Sequence, residues 1–355
     1  MTEKKIGVIF PGYGEQFIGM GKDLYDELRI VQELFEQAAG AAELNFVKLI
    51  FASSDEDISK IQNAYLSIYL FEVALYEVLY QKGLRPDFVA GYDIGEYAAA
   101  YASRSLSFID ALYILNKYAQ FYQEFLIGKE LTALRIVREF DVESIEELCE
   151  KKSTKYMKAY VASQNTQQAF YVAGHAKVVE KIKEYCVKKV IRKVRVIGPE
   201  YGMHSQIADP VIEQLKLYYH KIQFKDLQIP VITNVDGVYV TTPAALESAI
   251  MRKNNHRNQW LEVMQGFVGC DVIISVGPGK QVLEWFEQEY PDKQYFQITT
   301  MKDIEKIAQF FKPELNPELS SPIVNVDEKQ EEKQTLYESD VVNEKASDFD
   351  VEDED

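Results

Sequence analysis

Cysteine and histidine are scarce in this chain, three of the one and four of the other among 355 residues. Cys149, Cys186 and Cys270 stand far apart, odd in number and without the short spacings that bind metal, which argues against a disulfide framework and a zinc site. They fit a reduced, cytoplasmic compartment. His175, His220 and His256 likewise lack metal-ligand spacing and read as structural or exposed. No apolar run approaches the roughly 18 residues of a membrane span, and Met1-Thr2-Glu3-Lys4-Lys5 enters a short strand without a signal-type segment. A surplus of positive charge is missing too. Lys and Arg number 39 against 56 Asp and Glu, which gives no electrostatic reason to bind nucleic acid, whose phosphates demand a basic face.

What is present is a large apolar fraction, 47% of residues, beside a net charge of −17. That excludes a wholly disordered chain and supplies a sizeable core. The charge is unevenly placed. Residues 313–355 hold 15 acidic and 3 basic side chains, leaving 41 and 36 in residues 1–312. The near-balanced body therefore reads as folded, and the tail as disordered and acidic, with at most a short docking segment at Ile323-Val324.

Within the body, Ile6 to Phe10 is a short apolar run that ends in Pro11-Gly12-Tyr13-Gly14, a buried strand delivered into a glycine-rich turn. A helix follows through Met20 to Leu24. From Asn63 to Gln81 apolar residues recur at helical spacing, and Gly83 is placed to stop that helix. Phe88-Val89-Ala90 is a second strand, followed by the turn Gly91-Tyr92-Asp93-Ile94-Gly95 and a helix from Glu96 to Ala102. Strand, tight turn and helix, twice over, predict a parallel α/β sheet with sites at the carboxyl ends of its strands. Between Glu130 and Arg195 the order becomes strand (Leu131 to Val137), helix (Val142 to Lys151), strands (Tyr160 to Ser163 and Ala169 to Ala173), helix (Ala176 to Lys188) and strand (Val190 to Val196). That is the pattern of a ferredoxin-like α+β unit. The α/β texture resumes with strands at Gln228 to Thr233 and Val272 to Val276 and closes with a helix at Ile304 to Phe311.

Gly91-Tyr92-Asp93-Ile94-Gly95 has the form of a G-x-S-x-G nucleophile elbow with aspartate in place of serine. Glycine is needed on both sides because a side chain would collide with the sharp strand-to-helix turn. By itself the motif leaves a simpler role open, since aspartate also caps helices well. Four further segments appear in order around it. These are Phe10-Pro11-Gly12-Tyr13-Gly14-Glu15-Gln16 with Gly19-Met20-Gly21, then Met203-His204-Ser205 with Pro210, then Pro230 to Val235, and Val276-Gly277-Pro278-Gly279-Lys280. Together they resemble the malonyl-CoA:acyl-carrier-protein transacylases of fatty-acid and polyketide synthesis over residues 5–312, with F-P-G-Q-G-S-Q, G-H-S-L-G-E-Y, F-H-S…P, P-V-x-S/T-N-V and V-G-P-G-K as the family forms.

The resemblance implies a parallel-sheet, hydrolase-like acyltransferase core at 1–128 and 197–312 and an inserted ferredoxin-like subdomain at 129–196, and leaves the acidic tail at 313–355 outside it. It implies no cofactor, acyl-CoA as a possible substrate, and acyl-CoA or acyl carrier protein as partners; any partner of the tail is unknown. It further implies that the residue at Asp93 is the nucleophile, that His204 takes its proton, and that Ile94 and Tyr13 lie at the substrate. Here the departures begin. The family serine is Asp93, the glutamine that helps form the oxyanion hole is Tyr13, the arginine that pairs with the malonyl carboxylate falls on Tyr118, and a glutamine that supports the histidine falls on Lys253. Asn165 matches an asparagine at the small-domain face of the cleft, or is a turn asparagine. Lys188, Lys189, Arg192, Lys193 and Arg195 form a basic cluster that could meet coenzyme A phosphates or an acidic carrier protein, or be a solvated face.

A carboxylate attacking a thioester would form a mixed anhydride, which is readily lost to water or returned to the thiol. A malonyl carboxylate without a cation would carry an unpaired-charge cost of about several kcal/mol. Three readings follow. The first is a catalytically weak or inactive member of the fold, a pseudoenzyme, that still binds acyl-CoA or a carrier protein. The second is an active acyltransferase or acyl hydrolase working through Asp93 and His204, in the way aspartate elbows serve ester-forming hydrolases. The third is an interaction platform acting through the acidic tail.

Overall fold

The structure, a computed structural model, describes residues 4–137, 141–189, 193–199 and 202–310. The strands are β1 (Ile6–Phe10), β2 (Phe88–Gly91), β3 (Leu131–Val137), β4 (Ala159–Thr166), β5 (Ala169–His175), β6 (Lys193–Pro199), β7 (Val231–Ile232), β8 (Tyr239–Val240), β9 (Val272–Val276) and β10 (Gln294–Ile298). They build two sheets. The larger runs β10-β9-β1-β2-β7-β8 and is parallel up to β7, with β8 antiparallel at the edge. β1, β2 and β9 are buried along their whole length, as the central strands of a parallel sheet covered on both faces must be.

Register places the turns. Phe10 lies beside Gly91 at the carboxyl ends of β1 and β2, and Tyr92 N–H donates to the Phe10 carbonyl at 2.8 Å. The turn after each strand is thereby held against its neighbour. A Cβ on Gly91 would lie 2.0 Å from the Gly95 backbone, and one on Gly95 would lie 2.2 Å from the Pro11 carbonyl oxygen. Only glycine permits that approach. The helix Ile61–Gln81 crosses behind the sheet and is buried on every side from Ala64 to Leu79, packed against the helix Phe108–Leu126. A helix buried all round and mostly apolar belongs inside a core.

The second sheet is antiparallel in the order β4-β5-β3-β6, with the helices Val142–Lys152 and Ala176–Lys188 on one face. Leu134, Ile136, Phe170 and Val172 pack there with Ile145, Val178 and Ile182 into a separate small core. The order and connections are ferredoxin-like, as the sequence pattern predicts. The expected start of β6 at Val190 lies outside the described residues, which take up this strand at Lys193. β4 runs Ala159–Thr166, longer than the expected Tyr160 to Ser163. β7 is two residues long instead of six, because the Gln228 N–H turns to the Ser103 carbonyl and Thr233 N–H to Val238, removing both ends from the ladder. Residues 311–355, with the expected tail, also lie outside the described residues. Among the described residues no helix is long and apolar enough to cross a membrane.

Gly91→Ala is expected to destabilise the chain by about 3 kcal/mol or more in denaturant unfolding. Gly269→Ala, where a Cβ meets nothing nearer than Lys5 Nζ at 3.9 Å, is the matched substitution expected to leave the midpoint nearly unchanged.

Candidate functional site

Asp93 and His204 are the two titratable side chains that the turns bring face to face. Each has left-handed backbone, φ 52° at Asp93 and 57° at His204, a conformation that costs a non-glycine residue about 1–3 kcal/mol. The surroundings hold both in place. Asp93 N–H donates to Asn234 Oδ1 at 3.3 Å, while the Asn234 amide donates to the Gly91 carbonyl and its backbone N–H to Glu96 Oε1 at 2.8 Å. Asn258 adds a donor to Asn234 Oδ1 at 2.9 Å. Gly12 is required beneath the elbow, since a Cβ there would lie 2.9 Å from Asp93 Cβ.

His204 Nδ1 lies 2.7 Å from the Lys253 carbonyl oxygen. That oxygen only accepts, so Nδ1 carries a proton and Nε2 faces Asp93, 3.2 Å from Oδ1. The two are at ion-pair distance and not in line for a hydrogen bond. The other oxygen, Oδ2, accepts from Tyr13 N–H at 3.4 Å. Burial pushes the Asp93 carboxyl up, but the His204 imidazole, the Lys253 ammonium and the Tyr13 N–H prevail and hold it below the ordinary carboxylate range. Asp93 is ionised in the folded protein at neutral pH.

Lys253 is fully buried. Its Nζ donates to the Asp93 carbonyl at 2.6 Å and sits 4.4 Å from the centre of the Tyr97 ring. Burial lowers its pKa, and Asp93, Glu96 and Glu72 act in the opposite sense. Glu72, midway along the helix Ile61–Gln81, is fully buried with neither carboxyl oxygen hydrogen-bonded, and burial raises its pKa well above normal, with Asp93 adding to the rise. Glu96 is raised as well, chiefly by burial. Among the described residues one buried lysine thus stands with three buried acids at and behind the elbow, Asp93, Glu96 and Glu72, the last two pushed toward their neutral forms.

The remaining expected residues divide. Ile94 is buried at the start of the helix Gly95–Ala102, next to Asp93. Tyr13 sets its ring edge-on to Tyr65, with centroids 5.5 Å apart, and its hydroxyl donates to the Ser59 carbonyl. Tyr118 is fully buried and stacks on Tyr65 at 5.6 Å, packed behind the site. Asn165 is buried and accepts from Tyr92 OH at 3.2 Å, so it acts on the elbow through Tyr92. The expected basic cluster separates: Lys188 and Lys189 end the helix Ala176–Lys188, Arg195 is exposed on β6, and the side chains of Arg192 and Lys193 lie outside the described residues.

A cleft of about 790 Å³ opens over Asp93 between the two sheets. Tyr13, Tyr92, Asp93, Asn63 and Gln123 line one side, and Arg135, Tyr171 and Arg195 of the small sheet line the other. His204, Tyr65 and Tyr118 are absent from its lining. Asp93 covers the histidine, and the tyrosine stack closes the space behind it.

The acyl transferase domain family matches residues 8–302. A malonyl CoA-acyl carrier protein transacylase of Bacillus subtilis (strain 168) is 30% identical over 278 residues, covering 78% of this chain and 87% of that protein. The crystal structure of a malonyl-CoA:acyl carrier protein transacylase from Xanthomonas oryzae superposes with a TM-score of 0.82 at 22% identity, over 87% of this chain and 99% of that one. A malonyl-transacylase solved in complex with a type II polyketide acyl-carrier protein gives 0.82 at 20% identity, over 86% and 99%.

Glu72 supplies a pH test. An acid whose folded pKa is raised binds more protons folded than unfolded, so its cost is absent below the unfolded value, about 4.3, and grows as pH rises toward the folded one. Glu72→Gln is therefore expected to raise the thermal midpoint relative to the unaltered chain at pH 7.5, and the gap is expected to shrink toward pH 4.5.

Proposed function

Because the chain belongs to the acyl transferase domain family, we propose that it is a relative of the malonyl-CoA:acyl carrier protein transacylases that keeps the cleft for acyl-CoA or an acyl carrier protein and is weak or inactive in acyl transfer. The observation that carries this reading is the Asp93 carboxylate, set between His204 Nε2 and the Tyr13 N–H. A serine at this turn would give its proton to the imidazole, and turn N–H groups would receive the oxyanion of the tetrahedral intermediate. The carboxylate fills both places. It offers no proton to take, and its own negative charge stands where the developing charge would need stabilising.

Malonyl binding loses its support on the same grounds. Tyr118 lies in a neutral aromatic stack, and the buried Lys253 is turned to the Asp93 carbonyl beside three acids. Beside Asp93 a malonyl carboxylate would face a like charge, with Lys253 already engaged and the arginines on the opposite wall of the cleft, at a cost of several kcal/mol. Hydrolysis through an Asp93 ester is disfavoured for a different reason. The histidine would have to activate a water, and it sits against Asp93 at 3.2 Å, away from the cleft lining. The carrier protein as partner is supported by the complex in which a structural relative was solved, and the setting is fatty-acid or polyketide assembly.

The test is acyl transfer from acyl-CoA to a carrier protein, followed by intact mass. The unaltered chain is expected to leave the carrier unmodified, and Asp93→Ser to gain acylation of itself or the carrier by about a hundredfold or more over that background. Carrier acylation by the unaltered chain that disappears in His204→Ala would overturn the reading.

A further inference from the structure

The wall of the cleft opposite the elbow carries charge that the reading above leaves unused. Across the small sheet, Arg135 on β3 stands directly opposite Tyr171 on β5 and directly opposite Arg195 on β6. The neighbours Leu134, Ile136 and Val172 pack into the small core, whereas Tyr171, Arg135 and Arg195 all line the cleft that runs to Asp93. Like charges directly opposite on adjacent strands repel. Among the described residues no acidic side chain is paired with either arginine, and Arg135 Nε is buried without a hydrogen-bond acceptor. Glu15 lines the same cleft, but its carboxylate is turned to the N–H groups of Lys280 and Gln281.

Two adjacent planar guanidinium forks with no acceptor suit an oxyanion that takes several N–H donors at once, which phosphate does and which lysines would do less specifically. The same cleft is lined by Asn63, Gln123 and Gln281 together with Tyr13 and Tyr92. Amide groups and ring faces of this kind fit a slender chain that carries its own amides. We propose that the Tyr171–Arg135–Arg195 row is a phosphate subsite, holding the phosphate of a phosphopantetheine arm whose thiol end lies at Asp93. This rests on the reading that the cleft binds coenzyme A or a carrier protein, and adds which residues select the ligand and by which group. The phosphate belongs equally to coenzyme A and to a carrier-bound arm.

The full chain is titrated by calorimetry with pantetheine, 4′-phosphopantetheine, coenzyme A and a holo-carrier protein, alongside Arg135→Gln/Arg195→Gln with its unfolding midpoint checked. Phosphopantetheine is expected to bind at least about tenfold more tightly than pantetheine to the unaltered chain, the effect of one charge-assisted contact. In the double variant that advantage is expected to fall below about twofold, with pantetheine affinity unchanged. Arginine-dependent binding of coenzyme A, of the holo-carrier or of both supports the subsite and identifies the source of the phosphate. Equal binding of the two small ligands by the unaltered chain, or an advantage that survives the double variant, overturns the subsite and leaves cleft binding standing. Binding of none of the four overturns both. Should the double variant fail to fold, Arg195→Gln alone, at an exposed strand position, is expected to reduce the phosphate advantage by about threefold or more, and no reduction overturns the proposal.

Discussion

Gly95 lies so close to the backbone of Phe10 and Pro11 that no side chain fits between them, and the site depends on that contact. It brings the turn after β2 down onto the turn after β1. Asp93 is thereby forced into left-handed backbone, and its carboxylate is brought within reach of the Tyr13 N–H. Asn234, at the end of β7, clamps the elbow from the other side through Gly91, Asp93 and Glu96. The framework is rigid in the way a nucleophile requires. What it presents is a charged acceptor.

That substitution is accommodated by the charges around it. Asp93 stays ionised because His204, Lys253 and the Tyr13 N–H outweigh its burial, and Lys253 stays beside it although burial opposes its charge. Glu72, with no hydrogen-bond donor to its carboxylate, is pushed the other way, and so is Glu96, where burial outweighs Lys253, the Asn234 N–H and His204. A buried charge persists only where opposite charge and donors outweigh its burial. The same reasoning separates the two walls of the cleft: the elbow side is closed electrostatically on itself, whereas the arginines of the small sheet are left open to an anion.

Much of this was legible in the sequence for physical reasons. Strands β1, β2 and β9 are short apolar runs that stop at glycine, and the change of period between Leu131 and Lys188 marks the second sheet element by element. The short edge pieces β8 and β10 and the helices between Arg29 and Ile58 lacked comparable punctuation. At the site, the positions of Asp93, His204 and Tyr13 followed from turn motifs, since tight turns tolerate few residues. Lys253 did not. A supporting role for histidine was assigned to its side chain, yet its carbonyl takes Nδ1 and its ammonium reaches Asp93, 160 positions away. Asn234 sat inside a recognised segment with no role attached, Glu72 looked like any position on a helix, and the Arg135–Arg195 pair exists only through strand register.

The central claim is that the Asp93 carboxylate occupies the chemical position of a nucleophile without acting as one. It is tested most directly by the rate at which coenzyme A is released from acyl-CoA by the unaltered chain, set against buffer and against Asp93→Asn. The account predicts that all three rates agree; release by the unaltered chain well above both others would contradict it.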